Sequence, residues 1–459
     1  MSKLSQPNAN LNEARPFASM SRVNPHAAGV DIGAHENMVC VPGDETTQLV
    51  RSFGNYTADL HAIAAWLKEH QIETVAMEST GVYWIPLFET LEAAGFQCNL
   101  VSARSLRRIP GRKSDVLDCQ WIQTLHSYGL LESSFRPEAD LVALRALLRH
   151  RAQLLEHRAP HILHMQKALL QMNIQLSQVL SDVTGTTGQA IIRAIVAGER
   201  DPHKLAALRN YRCHKDQDEI AKALTGTWRQ EHLFVLKQSL EMYDFYTHQL
   251  EAYDAEIERL YAAARPSKDD SDDDAPPPVP EHKRNSHSKN APKGGAIRRH
   301  LKRICGVDVT AIHGLGEVLA QEAVMETGTD MSKFPSVKHF CSWLGLAPKN
   351  EISGGKVLRS ATLKTRNRAG QAFRKAAASV MRSDCVFGVF YRRMKARIGP
   401  AQAAVATAHL IARVYYRMLK DKIEYQPLSV EEYEAKYRQQ QIKSLQKKAA
   451  KLGLQLSPA

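Results

Sequence analysis

The sequence has 459 residues and a formal net charge of +13, from 61 basic and 48 acidic side chains, which favours a polyanionic partner such as nucleic acid. This length allows two or three domains, and the lack of any run of about 18 apolar residues argues against a membrane span. Seven cysteines without a CxxC pair, together with a polar N-terminus that has no secretory core, indicate reduced thiols in a cytoplasmic protein.

Residues 26–136 follow a polar segment, 1–25, that we predict to be disordered. They alternate strand-like and helix-like runs, which is the pattern of an α/β domain. In chain order, the predicted elements are the strands AGVDIG, NMVCVP and LVRSF, a helix over 57–70, the strand TVAMEST, the helix VYWIPLFETLEAAG, the strand CNLVSA and the helix SDVLDCQWIQTLHSYGLL.

The rest of the chain is predicted to be mainly helical. Two leucine-rich, charged segments within 137–264 predict paired helices or a coiled coil, with Pro160 breaking the first helix. Residues 265–296 are predicted to be a disordered linker, because proline and charge blocks replace apolar anchors. A helical domain is predicted over 297–425, and a charged helical tail over 426–459.

Four acidic residues are spaced so that they can share one site. Asp31 ends the first predicted strand, Glu78 ends the central one, and Asp115 and Asp118 lie three apart on one face of a helix. Carboxylate oxygens suit Mg²⁺, and two such ions can stabilise both oxygens of an in-line phosphoryl displacement. The spacing alone also fits acids that are exposed or cap helix ends.

A basic run precedes the aspartate pair and suits a phosphate backbone, although a solvated basic face would explain it equally well. Its members are Arg104, Arg107, Arg108, Arg112 and Lys113. A strand, an aspartate and a glycine turn also begin the sugar kinases and actin-like ATPases. Those proteins need a second phosphate loop halfway along the chain, where this sequence has leucine-rich helices, so the pattern disfavours that class.

Glycines mark two candidate phosphate-binding places in the C-terminal part. VTAIHGLGEVLAQEAVMETG predicts a helix, a Gly-x-Gly hairpin and a second helix, in which Gly314 and Gly316 would leave backbone N–H groups open to a phosphate. Glycine caps alone would give the same pattern. Ser353 is followed by Gly354 and Gly355, so we expect its hydroxyl on an exposed loop; a lone Ser-Gly is more often an ordinary turn.

Residues 351–400 are the densest basic stretch of the chain, with twelve Lys or Arg against two acids. Set within this block, and with the resemblance described below, Ser353 is a candidate nucleophile; Ser360 and Ser379 lie in the same block and rank below it. The side chains expected to contact nucleic acid here are Lys356, Arg359, Lys364, Arg366 and Arg368.

Three histidines, His157, His161 and His164, have the helical spacing of metal ligands. No cysteine or carboxylate completes the set, so we predict a solvent-facing or coiled-coil role for them.

Taken together, these motifs resemble the DEDD-type insertion-sequence transposases, whose N-terminal domain is similar to the RuvC-like junction resolvases of the ribonuclease H fold. The resemblance covers nearly the whole chain from residue 27 to about residue 419. It rests on GVDIG with Asp31, AMESTGVYW with Glu78, KSDVLDCQWI with Asp115 and Asp118, the central segment SDVTGTTGQAIIRAIVAGERDP, and LGLAPKNEISGGK around Ser353.

The resemblance implies a ribonuclease H-like α/β domain, central long helices and a C-terminal all-helical domain with a helix-hairpin-helix-like element. It implies that the four acids bind Mg²⁺ or Mn²⁺ and that Ser353 attacks DNA to give a transient phosphoserine link. It further implies a homo-oligomer, expected to be a tetramer, in which different subunits supply the acids and the serine. A structured non-coding guide RNA would pair with donor and target DNA, and the bacterial protein would associate with the nucleoid when active.

Two other functions stay open on the residues alone. A structure-selective junction endonuclease would hydrolyse DNA with metal-activated water, and Ser353 would then only contact phosphate. A non-catalytic nucleic-acid-binding protein would need only the basic surfaces. No histidine or lysine is identified as the base for Ser353, and the acidic, proline-rich insert 268–293 is longer than we expect for the family.

Overall fold

The computed structural model describes residues 20–43, 47–79, 81–102, 115–263, 290–292, 296–362 and 367–454. The chain divides into two units, Met1–Arg136 and Pro137–Ala459. The seven cysteines all fall in the described ranges and are free thiols. In the same ranges, no helix has both the length and the apolar character that a membrane crossing requires.

The described part of the first unit is built on a five-stranded mixed sheet. The strand order across the sheet is β3-β2-β1-β4-β5; β2 pairs antiparallel with both β3 and β1, whereas β4 pairs parallel with both β1 and β5. This topology is compatible with a ribonuclease H-like domain and confirms the five predicted strands. They are β1 (Ala27–Ile32), β2 (Glu36–Pro42), β3 (Gln48–Gly54), β4 (Thr74–Glu78) and β5 (Gln97–Val101).

Helices cover the two faces of this sheet. Because successive side chains of a strand point to opposite faces, Ala28 and Val30 of β1 lie in the core formed with α1 (Thr57–Glu69) and α2 (Trp84–Ala93). The other face carries α3 (Asp115–Ser127), whose Ile122 packs on Ala76 of β4.

Buried polar contacts fix α3 on the sheet. The Gln123 side chain donates from Nε2 to the carbonyl oxygen of Ala27 at 3.1 Å. The His126 Nε2 lies 2.9 Å from the Thr74 hydroxyl of β4. Burial lowers the pKa of His126 to about 4, so its imidazole is neutral at neutral pH and acts as a core hydrogen-bonding group.

The second unit begins with a long helical hairpin that has smaller helices at its tip, and these elements share one apolar core. Two long helices, Ala139–Gln171 and Gln230–Ala263, form the arms of the hairpin. In chain order the helices are α4 (Ala139–Gln171), α5 (Leu176–Val179), α6 (Thr186–Val196), α7 (Pro202–Ala206), α8 (Gln217–Ala223) and α9 (Gln230–Ala263).

The prediction that Pro160 breaks the first helix is wrong, since α4 continues through it. Pro160 is exposed, and contacts with α9 hold α4 on the N-terminal side of the proline. A buried ion pair joins Arg151 to Asp254, with 2.5 Å between Nε and Oδ1, and the Arg158 guanidinium lies over the Tyr243 ring. Such packing outweighs the backbone hydrogen bond that proline removes.

The C-terminal part of this unit surrounds an aromatic core in which the Phe340 ring lies 6.4 Å from Phe373 and 5.5 Å from Tyr416. Its elements are α10 (Ile297–Cys305), α11 (Glu317–Thr327), α12 (Val337–Trp343), β6 (Pro348–Ser353), β7 (Lys356–Thr362), α13 (Arg368–Val380), α14 (Val386–Ile398), α15 (Pro400–Asp421) and α16 (Val430–Lys451).

Two predictions for this region are wrong in detail. It is not all-helical, because β6 and β7 pair as an antiparallel hairpin. The helix predicted just before Gly314 is only a short 3-10 turn, Val309–Ala311, in which the Thr310 backbone N–H donates to the carboxylate of Asp308.

Candidate active site

Two of the predicted metal ligands lie side by side at the carboxyl ends of parallel strands. The last registered pair between β1 and β4 is Val30 with Met77, so the next residues on the two strands are Asp31 and Glu78. Both are half-buried. Each follows by two residues a position that faces α3, Gly29 on β1 and Ala76 on β4, so both carboxylates project toward the α3 face.

The direction of α3 brings a third acid to the same edge. The C-terminal end of α3 meets the start of β1, because the Ser127 carbonyl accepts hydrogen bonds from the backbone N–H groups of Val23 and Asn24. The N-terminal end therefore lies toward the end of β1 that carries Asp31. Asp118 is half-buried and lies one turn before Ile122, the residue that packs against β4.

Gly29 allows this close packing between helix and sheet. A Cβ atom at this position would lie 2.2 Å from the backbone nitrogen of Gln123 and 2.5 Å from the carbonyl oxygen of Cys119. Both atoms belong to the α3 backbone, so no side-chain rotation would relieve the contact. The first glycine of GVDIG therefore sets the depth of α3, and with it the position of Asp118 relative to Asp31.

The donor set at this edge suits a hard divalent cation, because Asp31, Glu78 and Asp118 offer only carboxylate oxygens. These three carboxylates are nevertheless not close enough together to share an ion, and within the described residues neither are any other three Asp, Glu, His or Cys side chains. Asp115 is the first residue of α3, but its side chain lies outside the described residues. The predicted basic run Arg104, Arg107, Arg108, Arg112 and Lys113 lies outside them as well.

Ser353 lies at the tip of the β6–β7 hairpin, one residue before the turn. It pairs with Lys356 across a two-residue turn, Gly354–Gly355. Both glycines have positive φ, 54° and 76°, the combination required by the type I′ turn that closes such hairpins. Ser353 is exposed, as predicted, although it ends a strand rather than lying in an open loop.

The pairing gives Ser353 a cationic neighbour, Lys356, which was predicted only as a nucleic-acid contact. Directly paired residues of a hairpin point to the same face, so Lys356 shares the face of Ser353. Arg359 pairs with Glu351, two residues before Ser353, and both lie on this face too. The two-glycine turn was the signal that could have predicted the pairing of Lys356 with Ser353, because a two-residue turn fixes the register of the hairpin.

The other candidates of the basic block have different surroundings. Arg368 is exposed at the first position of α13, whereas Lys364 and Arg366 lie outside the described residues. The Ser360 hydroxyl donates to Asn350 Oδ1 at 2.8 Å, and the Ser379 hydroxyl donates to the Ala376 carbonyl at 2.8 Å. Both hydroxyls are thus engaged in local structure.

The two glycines of the Gly-x-Gly segment differ in their surroundings: Gly314 is packed against another helix, and Gly316 is open. A Cβ at Gly314 would lie 2.6 Å from the carbonyl oxygen of Ala376 on α13, so packing alone requires glycine there. Gly316 is the N-cap of α11 and has no atom within 4 Å of a Cβ position. Its surroundings leave room for a phosphate at this helix N-terminus.

The histidines of α4 contact the facing helix instead of forming a ligand set. The His161 ring stacks on Tyr246 of α9 at 5.6 Å, and the His157 ring lies 6.0 Å from the same tyrosine.

Two family models of known proteins match the parts of the chain that contain the acidic edge and Ser353. A family model described as a transposase, of the DEDD type of IS110, matches residues 28–174. A second model, described as the transposase IS116/IS110/IS902 family, matches residues 308–392. No curated protein is significantly similar to the chain. The first match contains Asp31, Glu78 and Asp118, and the second contains Ser353. The chain therefore carries the two transposase domains of the IS110 family, which are found in insertion-sequence enzymes that cut and rejoin DNA.

Proposed function

We propose that this transposase cuts and rejoins DNA through attack of Ser353 on a phosphodiester, assisted by Mg²⁺ or Mn²⁺ at the acidic edge of the first unit. The observation that carries the proposal is the position of Ser353, exposed at a hairpin tip with Lys356 paired across the turn. A nucleophile that must reach a phosphate inside a DNA strand needs such an exposed position, and a nearby ammonium group favours the phosphate.

In the proposed step, the Ser353 Oγ forms a bond to phosphorus while the bond to a deoxyribose oxygen breaks. The hydroxyl proton leaves Oγ, and the departing deoxyribose oxygen gains a proton. The phosphoserine link conserves the phosphodiester energy, so a free DNA hydroxyl can later reverse the step onto a new strand. Lys356 and Arg359 have only donor groups, so their role is to bind phosphate oxygens beside the serine.

The residues that would hold the metal are Asp31, Glu78, Asp118 and, by its place in the motif, Asp115. When bound, the cation would stabilise negative charge on the phosphate oxygens of the scissile group. The residues of this unit orient the carboxylates: Gly29 sets the depth of α3, and the Gln123 and His126 contacts hold it on the sheet.

The family resemblance also implies a guide RNA and an oligomer. We propose that a structured non-coding RNA pairs with donor and target DNA and thereby selects sequence, that the protein works as a tetramer, and that different subunits supply the acids and Ser353. The net charge of +13 supports polyanionic partners in general. Sequencing the RNA that copurifies with the protein would test the guide.

The deciding experiment is to trap the covalent intermediate. Labelled DNA copied from the ends of the element is incubated with the protein and Mg²⁺, quenched in denaturant and resolved for a protein–DNA adduct, whose site is read by peptide mass. We expect wild type to give an adduct at Ser353 and Ser353→Ala to give none, because the variant lacks the nucleophilic oxygen.

Ser360→Ala is the matched control. It removes a hydroxyl from the same hairpin, and we expect adducts near the wild-type level. Adducts that persist in Ser353→Ala would contradict the assignment. Cleavage by Ser353→Ala without any adduct would instead identify the junction endonuclease that uses activated water.

A further inference from the structure

The β6–β7 hairpin has two open faces of opposite character. Neither strand buries a side chain, and both strands lie wholly within the described residues. One face carries Ser353 with Lys356 and Arg359. The other face begins with the next registered pair, Ile352 and Val357. The hairpin is therefore amphipathic without a core element against its apolar side.

The apolar side is concentrated at the tip, next to Ser353. The register shifts between Glu351 and Ile352, which leaves Leu358 as the extra residue of a bulge beside Val357. The three side chains are 61%, 56% and 71% exposed for Ile352, Val357 and Leu358 respectively. Three large apolar groups held open on one strand pair are typical of a binding surface.

The charge of the hairpin indicates what covers this surface. Its opposite face presents Lys349, Lys356 and Arg359 against the single acid Glu351. A two-stranded ribbon is thin, so an occupant that receives the tip meets both faces at once. A polyanion with an apolar interior fits both: phosphates for the cations, and base faces for the apolar side chains. Duplex DNA has these properties, because phosphates line its grooves and apolar side chains can insert between its stacked bases.

We infer that the β6–β7 hairpin is a DNA-distorting arm, whose Ile352, Val357 and Leu358 enter a base step and unstack it beside the phosphate that Ser353 attacks. Leucine and isoleucine side chains act as such wedges in proteins that bend DNA. Unstacking would free the backbone at that step to turn its phosphate toward Oγ. The inference rests on the proposed function, because it takes DNA as the substrate of Ser353.

The test places the fluorescent base 2-aminopurine at the cleaved step of the duplex and uses the full chain with its copurifying RNA. Fluorescence of 2-aminopurine rises when the base leaves the stack. We expect a rise with wild type and with Ser353→Ala, which keeps the wedge. Leu358→Ser should lose most of the rise and form adducts about tenfold more slowly or worse. Leu358→Met, which keeps an apolar side chain, should behave like wild type.

A mismatch at the step provides the complementary test. It makes unstacking easier, so it should restore the adduct rate of Leu358→Ser toward that of wild type. Fluorescence and rate unchanged by Leu358→Ser would overturn the inference, and so would a shift of the oligomeric state in this variant, because a second copy would then cover the surface. In either case wild type would still form its adduct at Ser353, so failure of this inference is distinct from failure of the proposed function.

Discussion

Gly29→Ala is expected to destabilise the first unit by about 3 kcal/mol or more and to abolish detectable adduct formation at Ser353. The added methyl would lie 2.2 Å from a backbone nitrogen of α3, so the helix must move away from the sheet. Because α3 carries Asp118, the carboxylates at the sheet edge would separate. Misplacing a catalytic group by about 1 Å can reduce the rate a hundredfold.

The measurement combines thermal unfolding with the adduct assay. Gly316→Ala is the control for the chemistry of the substitution, since its Cβ would meet nothing within 4 Å and its φ is −70°. We expect that variant to unfold within about 1 kcal/mol of wild type. Gly29 does not set the position of α3 if Gly29→Ala unfolds like wild type and still forms adducts.

The sequence was informative wherever a segment is buried on both sides. The strand around Asp31 and the strand that ends at Glu78 are apolar runs bounded by turn residues, and both were predicted correctly. The same patterns placed the two acids at strand ends. Their adjacency depends on the parallel register of β1 and β4, which a single sequence does not encode locally.

A strand with no buried face is difficult to predict from the sequence. The strands β6 and β7 have exposed residues almost throughout, so the apolar–polar contrast that reveals a strand is missing, and the region was predicted as helical. The helix break predicted at Pro160 was wrong because contacts between α4 and α9, which are distant in sequence, outweigh the local effect of proline. Lys356 was assigned only to nucleic-acid contact, because its pairing with Ser353 depends on the turn type.

Asp118→Asn is expected to abolish adduct formation while leaving the first unit folded. The change keeps the size of a half-buried side chain but removes a negative charge from the sheet edge that also carries Asp31 and Glu78. Carboxylates that share one sheet edge repel one another when no cation is bound, so the variant should be as stable as wild type, or slightly more stable, in chelator. In Mg²⁺ wild type should be the more stable of the two proteins, because only wild type gains the full free energy of cation binding.

This reversal is the readout that a purely structural role for Asp118 would not give. At a Mg²⁺ concentration of about 100 times Kd, wild type should gain roughly 2.7 kcal/mol of stability, visible as a rise in Tm of the first unit. Glu69→Gln removes an exposed carboxylate from α1, on the opposite face of the sheet, and should keep the full rise. Equal Mg²⁺ shifts in wild type and Asp118→Asn, or adducts formed undiminished in chelator, would show that the acidic edge does not bind the catalytic cation.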